Sequence, residues 1–96
     1  MEELKRLTKL SLSIAASSTI KDDEITLLIN AAIKDLQRQG IKAAANTEDA
    51  LTRAAIIMFV KANFGNTDID EKERAGKTYS LLCQNLGLSE GYEEEE

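Results

Sequence analysis

The sequence predicts a small all-α domain, a bundle of about four helices. Apolar residues recur at steps of three and four in separate segments, acidic residues precede most of these segments, and glycines follow several of them. The chain has no proline and only four aromatic residues, which favours long helices and disfavours a large β-sandwich or barrel. Its 96 residues fit one domain with a modest core.

The first helix is predicted from about Glu2 to Leu12. Leu4, Leu7 and Leu10 give it a rough apolar stripe, and two glutamates at its start suit the positive end of the helix dipole. A segment rich in serine and threonine follows, and these residues favour caps and turns.

The second helix has the clearest amphipathic pattern. Its apolar face consists of Ile25, Leu28, Ile29, Ala32, Ile33 and Leu36. Asp22 is the predicted N-cap. Gly40 is suited to the left-handed conformation that closes a helix, and Ile41 would then contact Leu36 in a Schellman motif.

The third helix is predicted from about Glu48 to Phe64, capped by Asn46 or Thr47 and ended by Gly65. Five consecutive apolar residues, 56–60, cover more than one face of this helix. A helix of this kind is usually buried on several sides.

The fourth helix is predicted from about Ile69 to Leu86, because Asp68 and Glu71 form a capping-box pattern at its start. Its apolar face consists of Ala75, Tyr79, Leu82, Cys83 and Leu86. Gly87 predicts a second Schellman ending, with Leu88 against Cys83. Gly76 lies inside the helix, where it either permits close approach of another helix or has no structural role.

These patterns place helices two and three at the centre of an antiparallel core. The residues predicted to be largely buried are Leu28, Ile29, Ile33, Leu36, Leu51, Ala55, Met58, Leu82 and Leu86.

Charge is distributed unevenly along the chain. Residues 1–89 carry 12 basic and 12 acidic side chains, so the net charge of −5 comes from Glu90 and Glu93–Glu96. We therefore expect one helical domain over residues 1–91 and a disordered acidic tail over residues 92–96, although an interaction tail is the alternative. A neutral body has no general attraction for a polyanion, which disfavours a nucleic-acid-binding regulator.

The sequence predicts no catalytic, cofactor-binding or metal-binding residue. Histidine, the commonest general base and metal ligand, is absent. The single cysteine, Cys83, lies on an apolar helix face and is expected to be a buried hydrophobe; one cysteine also suits a reducing compartment. Neither a signal peptide nor a membrane span is expected, because the N-terminus is charged and the longest apolar run covers only residues 54–60.

One acidic segment has the alternate spacing of a calcium-binding loop. Its residues are Asn66, Asp68 and Asp70. However, Glu71 stands where that loop needs glycine and Lys77 stands where it needs glutamate, so a helix start is the better interpretation.

Two groups of basic residues are candidate binding surfaces. They are Lys5, Arg6 and Lys9 on the first helix and Lys72, Arg74 and Lys77 on the fourth. Because acidic residues accompany both groups, solvated helix faces are the first interpretation; a weak phosphate-facing patch or a subunit contact is the other.

Three segments in this order and spacing resemble one protein family. They read IKDDEITLLINAAIKDLQRQGI (20–41), ALTRAAIIMFVKANFGN (50–66) and EKERAGKTYSLLCQNLGLSEGY (71–92). The signals are D-D-E-I, A-A-I-x-x-L, V-K-A-N-F-G and a final L-S-x-G-Y. From about Leu4 to Tyr92, the chain resembles the head–tail connector proteins of tailed bacteriophages and prophages, which are often described as DNA-packaging or head-completion proteins.

The resemblance implies a structural virion protein that is not an enzyme. Subunits would form a ring below the portal protein, extend the channel through which DNA passes without sequence-specific binding, and dock tail-proximal connector proteins. The ring would sit at the head–tail junction of the virion after assembly in the bacterial cytoplasm. The alternative is a small helical adaptor or regulator that binds a protein partner as a monomer or dimer.

A ring requires contacts between two different patches of one subunit. The candidate patches are the first helix with its following loop, and the outer sides of helices three and four. The charged residues expected at the rims of this contact are Lys5, Arg6, Glu71 and Arg74.

Overall fold

The structure, a computed structural model, describes residues 2–15, 17–41, 48–65 and 67–94, with side-chain surroundings described up to Gly87. Over these residues the chain forms four α-helices and no strand. They are α1 (Glu2–Ser11), α2 (Asp22–Arg38), α3 (Ala50–Asn63) and α4 (Ile69–Glu94). The predicted all-α fold is therefore confirmed.

Helix α3 lies at the centre of the bundle. It packs against each of the other three helices, most extensively against α4. Ala55, Ile56 and Val60 are completely buried, and Phe59 and Ile57 pack against the core from either side. Burial on several sides is what the five-residue apolar run predicted.

The predicted core is largely correct. Ile29, Leu36, Ala55 and Leu86 are buried, and three further predicted residues are partly buried against them. The latter are Leu28, Ile33 and Leu82, while Met58 is half-buried in a groove between α3 and α4. The full set of buried hydrophobic core residues is Leu4, Ile25, Ile29, Ala32, Leu36, Ile41, Ala55, Ile56, Val60, Phe64, Cys83 and Leu86.

The prediction for Leu51 is wrong, because its residue surface is 49% exposed. The neighbouring Thr52 is completely buried instead. Leu51 lies about 100° around the helix axis from Thr52, at the edge of the face that carries Thr52, Ala55 and Ile56 into the core, and it is therefore half exposed.

Helix α2 ends as predicted. Gly40 has φ +82°, its N–H donates to the Gln37 carbonyl (2.9 Å), and the Ile41 N–H donates to the Leu36 carbonyl (3.0 Å). These are the two bonds of a Schellman motif, and Ile41 is buried.

Helix α1 ends in the same way without a glycine. Ser13 adopts φ +62°, its N–H donates to the Leu10 carbonyl (3.1 Å), and the Ile14 N–H donates to the Lys9 carbonyl (2.8 Å). Ile14 packs against the core, as Ile41 does at the end of α2. The left-handed conformation is unfavourable for serine, so the burial of Ile14 offsets a local backbone cost.

Two of the predicted N-caps are wrong and one is confirmed. The N-cap of α2 is Lys21, and Asp22 is the first helical residue. The N-cap of α3 is Asp49, whose carboxylate accepts a hydrogen bond from the Thr52 N–H (2.9 Å). At α4 the Asp68 carboxylate accepts from the Asp70 N–H (3.1 Å), as the sequence predicted.

The correction at α3 also moves its start to Ala50, two residues after the predicted position. Asn46 and Thr47 lie outside the described residues. At its other end, α3 stops at Asn63 and Phe64 turns the chain into an extended conformation. Gly65 therefore follows the end of the helix without a left-handed conformation of its own.

The predicted end of α4 is also wrong. The helix continues through Gly87 to Glu94, since a glycine inside a helix costs about 1 kcal/mol and does not break it. Glu95 and Glu96 and the side chain of Leu88 lie outside what is described, so the disordered tail stays a prediction. At Gly76, nothing lies within 4 Å of where a Cβ would be, so no neighbouring helix within the subunit requires that glycine.

Candidate interaction surfaces

Two members of the first basic group, Lys5 and Lys9, lie against α2 rather than on a solvated face. Lys9 is only 4% exposed; its Nζ lies 2.5 Å from Asp22 Oδ1 and donates to the Ser18 carbonyl (2.7 Å). Lys5 Nζ lies 3.7 Å from the other oxygen of Asp22. The hydrogen bond from Lys9 and the nearby Lys5 charge hold the pKa of Asp22 below its usual value. Both lysines therefore attach α1 to the start of α2, and the place of Lys5 at the rim of a subunit contact stays a prediction.

The other end of α2 is fastened by a tyrosine. Tyr79 Oη on α4 donates to Asp35 Oδ2 (2.5 Å), and the Gln39 side-chain amide donates to the same oxygen (2.9 Å). The Tyr79 ring meets Phe59 edge-to-face, with centroids 5.3 Å apart. Burial, followed by the hydrogen bond to Asp35, raises the pKa of Tyr79 well above its ordinary value.

Cys83 is buried, as the sequence predicted. The Gln39 amide nitrogen lies 3.6 Å from its sulfur, and a cavity of about 390 Å³ opens beside it, with Tyr79 and Ile41 in the wall. Over the described ranges, no group of three or more acidic, histidine or cysteine side chains is placed to hold a metal ion. The carboxylate, tyrosine and amide here are satisfied by one another, so this cluster fastens α4 to α2.

A groove runs between α3 and α4 on the outer side of the bundle. Its volume is about 210 Å³, and its lining residues are Met58, Lys61, Glu71, Arg74, Ala75 and Thr78. At one end Lys61 Nζ lies 3.9 Å from a Glu71 carboxylate oxygen. This ion pair links α3 to α4, so Lys61 and Glu71 are both partnered within one chain.

Two exposed leucines lie on the same helix faces as lining residues of this groove. Leu51 lies two helical turns before Met58 on the same face of α3, and Leu81 lies two turns after Arg74 on the same face of α4. Leu81 is 60% exposed. We use the name α3–α4 groove for the surface formed by Met58 and Arg74 of this groove together with Leu51 and Leu81.

A second exposed surface lies at the start of α2. Ile20 is 86% exposed and Leu27 is 68% exposed, with the exposed Asp23 between them. Asp23 and Leu27 are one turn apart on the face of α2 opposite its buried isoleucines. We call Ile20, Asp23 and Leu27 the α2 strip. The α2 strip was not predicted from the sequence, although Leu27 lies off the apolar stripe of α2 and is the signal that indicates it.

The outer face of α1 is a third surface, and its charged groups are already paired. The Arg6 guanidinium donates to both carboxylate oxygens of Glu3 (3.0 and 2.7 Å), which lowers the pKa of Glu3. Leu10 lies one turn beyond Arg6 and is exposed. Thus only Arg74, of the four predicted rim residues, makes no ion pair within the part of the chain that the structure describes.

The comparison with protein families decides the class to which this bundle belongs. The family model described as phage connector protein matches residues 6–93, a range that includes part or all of each of the four helices. The chain belongs to the phage connector family. The resemblance read from the sequence is thereby confirmed, and the connector is assigned to a family of structural virion proteins.

Other comparisons add no relative to this assignment. Neither the search of curated proteins nor the search of solved structures returns a match to the connector. Of the helices in the described ranges, none has the length and apolar character needed to cross a membrane.

Proposed function

We propose that this connector is a structural subunit of the head–tail junction of a tailed bacteriophage or prophage. Subunits form a ring below the portal protein, extend the DNA channel and provide the docking surface for tail-proximal connector proteins. The observation that carries the proposal is the family match over residues 6–93, which includes every helix of the bundle. Assembly takes place in the bacterial cytoplasm, and the function involves no catalytic turnover.

The surface of the subunit supports an assembly role. Leu27, Leu81 and Ile20 are large apolar side chains that are more than half exposed. They belong to two surfaces on different helices, the α2 strip and the α3–α4 groove. A closed ring requires two different patches that meet head to tail, so this distribution suits a ring subunit better than a two-fold dimer, which uses a single patch.

The charge of the body supports a channel through which DNA slides. Equal numbers of acidic and basic residues over positions 1–89 leave no net attraction for phosphate. We therefore expect weak binding to duplex DNA that does not depend on sequence. Fluorescence anisotropy with two unrelated duplexes would check this, and a strong preference for one of them would contradict it.

The decisive experiment removes the gene from the phage or prophage that encodes it. Without the connector, heads should package DNA but leak it and lack tails, and supplying the protein in trans should restore infectious particles. Normal tailed particles without the connector would overturn the proposal. In that case an adaptor role as monomer or dimer becomes the better account, and co-purification with a host protein would identify the partner.

A further inference from the structure

Asp23, the carboxylate of the α2 strip, differs from the neighbouring acids Asp22 and Glu24 because it has no partner among the described residues. Asp22 is bound by two lysines, and Glu24 is near Lys21 and accepts from the Gly65 N–H (3.0 Å). Within the described part of the chain, Asp23 makes neither a hydrogen bond nor an ion pair. It is therefore an exposed carboxylate flanked by two exposed apolar side chains.

Arg74, a basic residue of the α3–α4 groove, likewise lacks an ion-pair partner among the described residues. Lys61 and Glu71 pair with one another at the end of the groove. Arg74 lines the groove, and among the described residues it has no carboxylate partner. It therefore presents a guanidinium without an ion-pair partner in the groove that the apolar Met58 also lines.

The two surfaces face in different directions on one subunit. The α2 strip lies opposite the face of α2 that carries the buried Ile25 and Ile29. Arg74 and Leu81 of the α3–α4 groove lie on the side of α4 away from Tyr79, the residue that contacts α2. A contact between the strip and the groove therefore joins two copies of the chain and cannot form within one copy.

We propose that the α2 strip of one connector subunit occupies the α3–α4 groove of the next subunit. Asp23 pairs with Arg74, and Leu27 packs against Leu51 and Leu81. The occupant is a second copy because the unpaired charges have opposite sign and both are carried by this chain. The contact joins two different patches, so its repetition generates a ring when the rotation between subunits closes. This inference rests on the proposed ring and identifies its interface.

The spacing of the groups permits both contacts at once. Asp23 and Leu27 are one helical turn apart, about 6 Å along the axis, while Arg74 and Leu81 are two turns apart, about 10.5 Å. The flexible stem of Arg74 spans the difference and covers apolar surface as it does so. The charge pair sets register and orientation, and the apolar contacts exclude water around it.

Charge reversal tests the contact in solution. Asp23→Arg and Arg74→Asp should each weaken self-association about tenfold or more in a sedimentation series, as is typical of close interfacial charge pairs. The double variant should recover most of the loss. Asp70→Arg is the matched control, because Asp70 is also an exposed acid at the second position of a helix, and Lys77→Asp controls for Arg74. Equal losses in the controls, or no recovery in the double variant, would overturn the inference.

A cross-linking experiment covers the case in which isolated subunits do not associate. The variant with Leu27→Cys and Leu81→Cys is incorporated into particles and treated with a short thiol cross-linker. A ladder of multimers is expected, while each single variant should give no product larger than a dimer. Tailed, infectious particles that show no ladder, and that also tolerate both charge reversals, would overturn this interface and leave the proposed function intact. Failure of the proposed function is recognised separately, by normal particles in the absence of the connector.

Discussion

The two ends of α2 are fastened to the bundle by different chemistry. At the N-terminal end, Asp22 holds the buried ammonium of Lys9 and the partly buried ammonium of Lys5. At the C-terminal end, Asp35 accepts neutral donors, the Tyr79 hydroxyl and the Gln39 amide, and lies 3.2 Å from an exposed arginine. The first end is an ionic attachment of α1, and the second is a hydrogen-bonded attachment of α4.

This difference determines how much stability the protein should lose when a residue at either end is replaced. Removal of one partner from a buried ion pair leaves the other charge without compensation in a poorly solvated site. Removal of a neutral donor costs one strong hydrogen bond and leaves a carboxylate that water can still reach. The comparison therefore predicts unequal losses of stability from single changes at the two ends of the same helix.

The largest loss is expected from Asp22→Ala. This change removes the Asp22 carboxylate from the buried ammonium of Lys9, so the attachment of α1 to α2 should weaken and the free energy of unfolding should fall more than in any other single variant discussed below. Urea denaturation followed by circular dichroism measures it. The matched control, Asp22→Ala with Lys9→Met, should recover much of the stability because the buried charge is gone. A single variant as stable as its control would show that the ion pair contributes little.

The next largest loss is expected from Tyr79→Phe. The ring and its edge contact with Phe59 remain, so only the hydrogen bond to the Asp35 carboxylate is lost. A hydrogen bond to a charged group contributes about 1.5–3 kcal/mol. Tyr79→Leu should cost more, because it also removes the aromatic contact. Equal stabilities of wild type and Tyr79→Phe would mean that water replaces the hydroxyl without loss.

Opposite extremes of pH should weaken the two ends. The pKa of Asp22 is lowered in the folded state, so its contribution is present above the unfolded-state pKa near 4 and is lost as pH falls through the folded value. The pKa of Tyr79 is raised, so its contribution is present below about pH 10 and declines above that pH.

Paired melting curves separate these two contributions. The Asp22→Ala, Lys9→Met variant should lose less stability than wild type between pH 5 and about pH 3, and Tyr79→Phe should lose less above about pH 10. If the Asp22→Ala, Lys9→Met variant follows the wild-type stability profile between pH 5 and about pH 3, the acid loss of stability does not arise from Asp22. If Tyr79→Phe follows the wild-type profile above about pH 10, the alkaline loss does not arise from Tyr79.

The smallest effects concern the glycine that closes the C-terminal end of α2. Gly40→Ala forces a side chain into a left-handed conformation and should lower the free energy of unfolding by about 1–2 kcal/mol. Gly87→Ala is the contrasting variant, because Gly87 lies inside α4 with open space where a Cβ would go. It should raise stability by about 0.8–1 kcal/mol. A loss at Gly87 would indicate that α4 ends there, as the sequence pattern suggested.

These cases show where sequence reasoning was sufficient and where it failed. Gly40 and Gly87 are followed by a hydrophobic residue in the same pattern, yet only Gly40 ends a helix. Ile41 is buried in the core, and that burial favours the turn that brings it there. The local pattern is permissive for both outcomes, and at Gly40 the burial of Ile41 favours the turn.

The sequence by itself determined the all-α class, the existence of four helices, the capping by Asp68, the end of α2 and most of the core. These features follow from local periodicity and from backbone preferences, which act over a few residues. The order and spacing of three sequence segments and their short motifs also indicated the connector family, which the family match confirmed.

Only the tertiary structure decided whether the charged residues and the isolated apolar residues are buried or exposed. Lys9 and Arg6 are both basic residues on α1, but one is buried against Asp22 and the other pairs with Glu3 at the surface. Leu51 reads as a core residue and is exposed. Helical spacing fixes which residues share a face, but it does not fix which neighbouring helix covers that face. Burial of a charge depends on a partner from another element, and that partner is brought into place only by the packing of the helices.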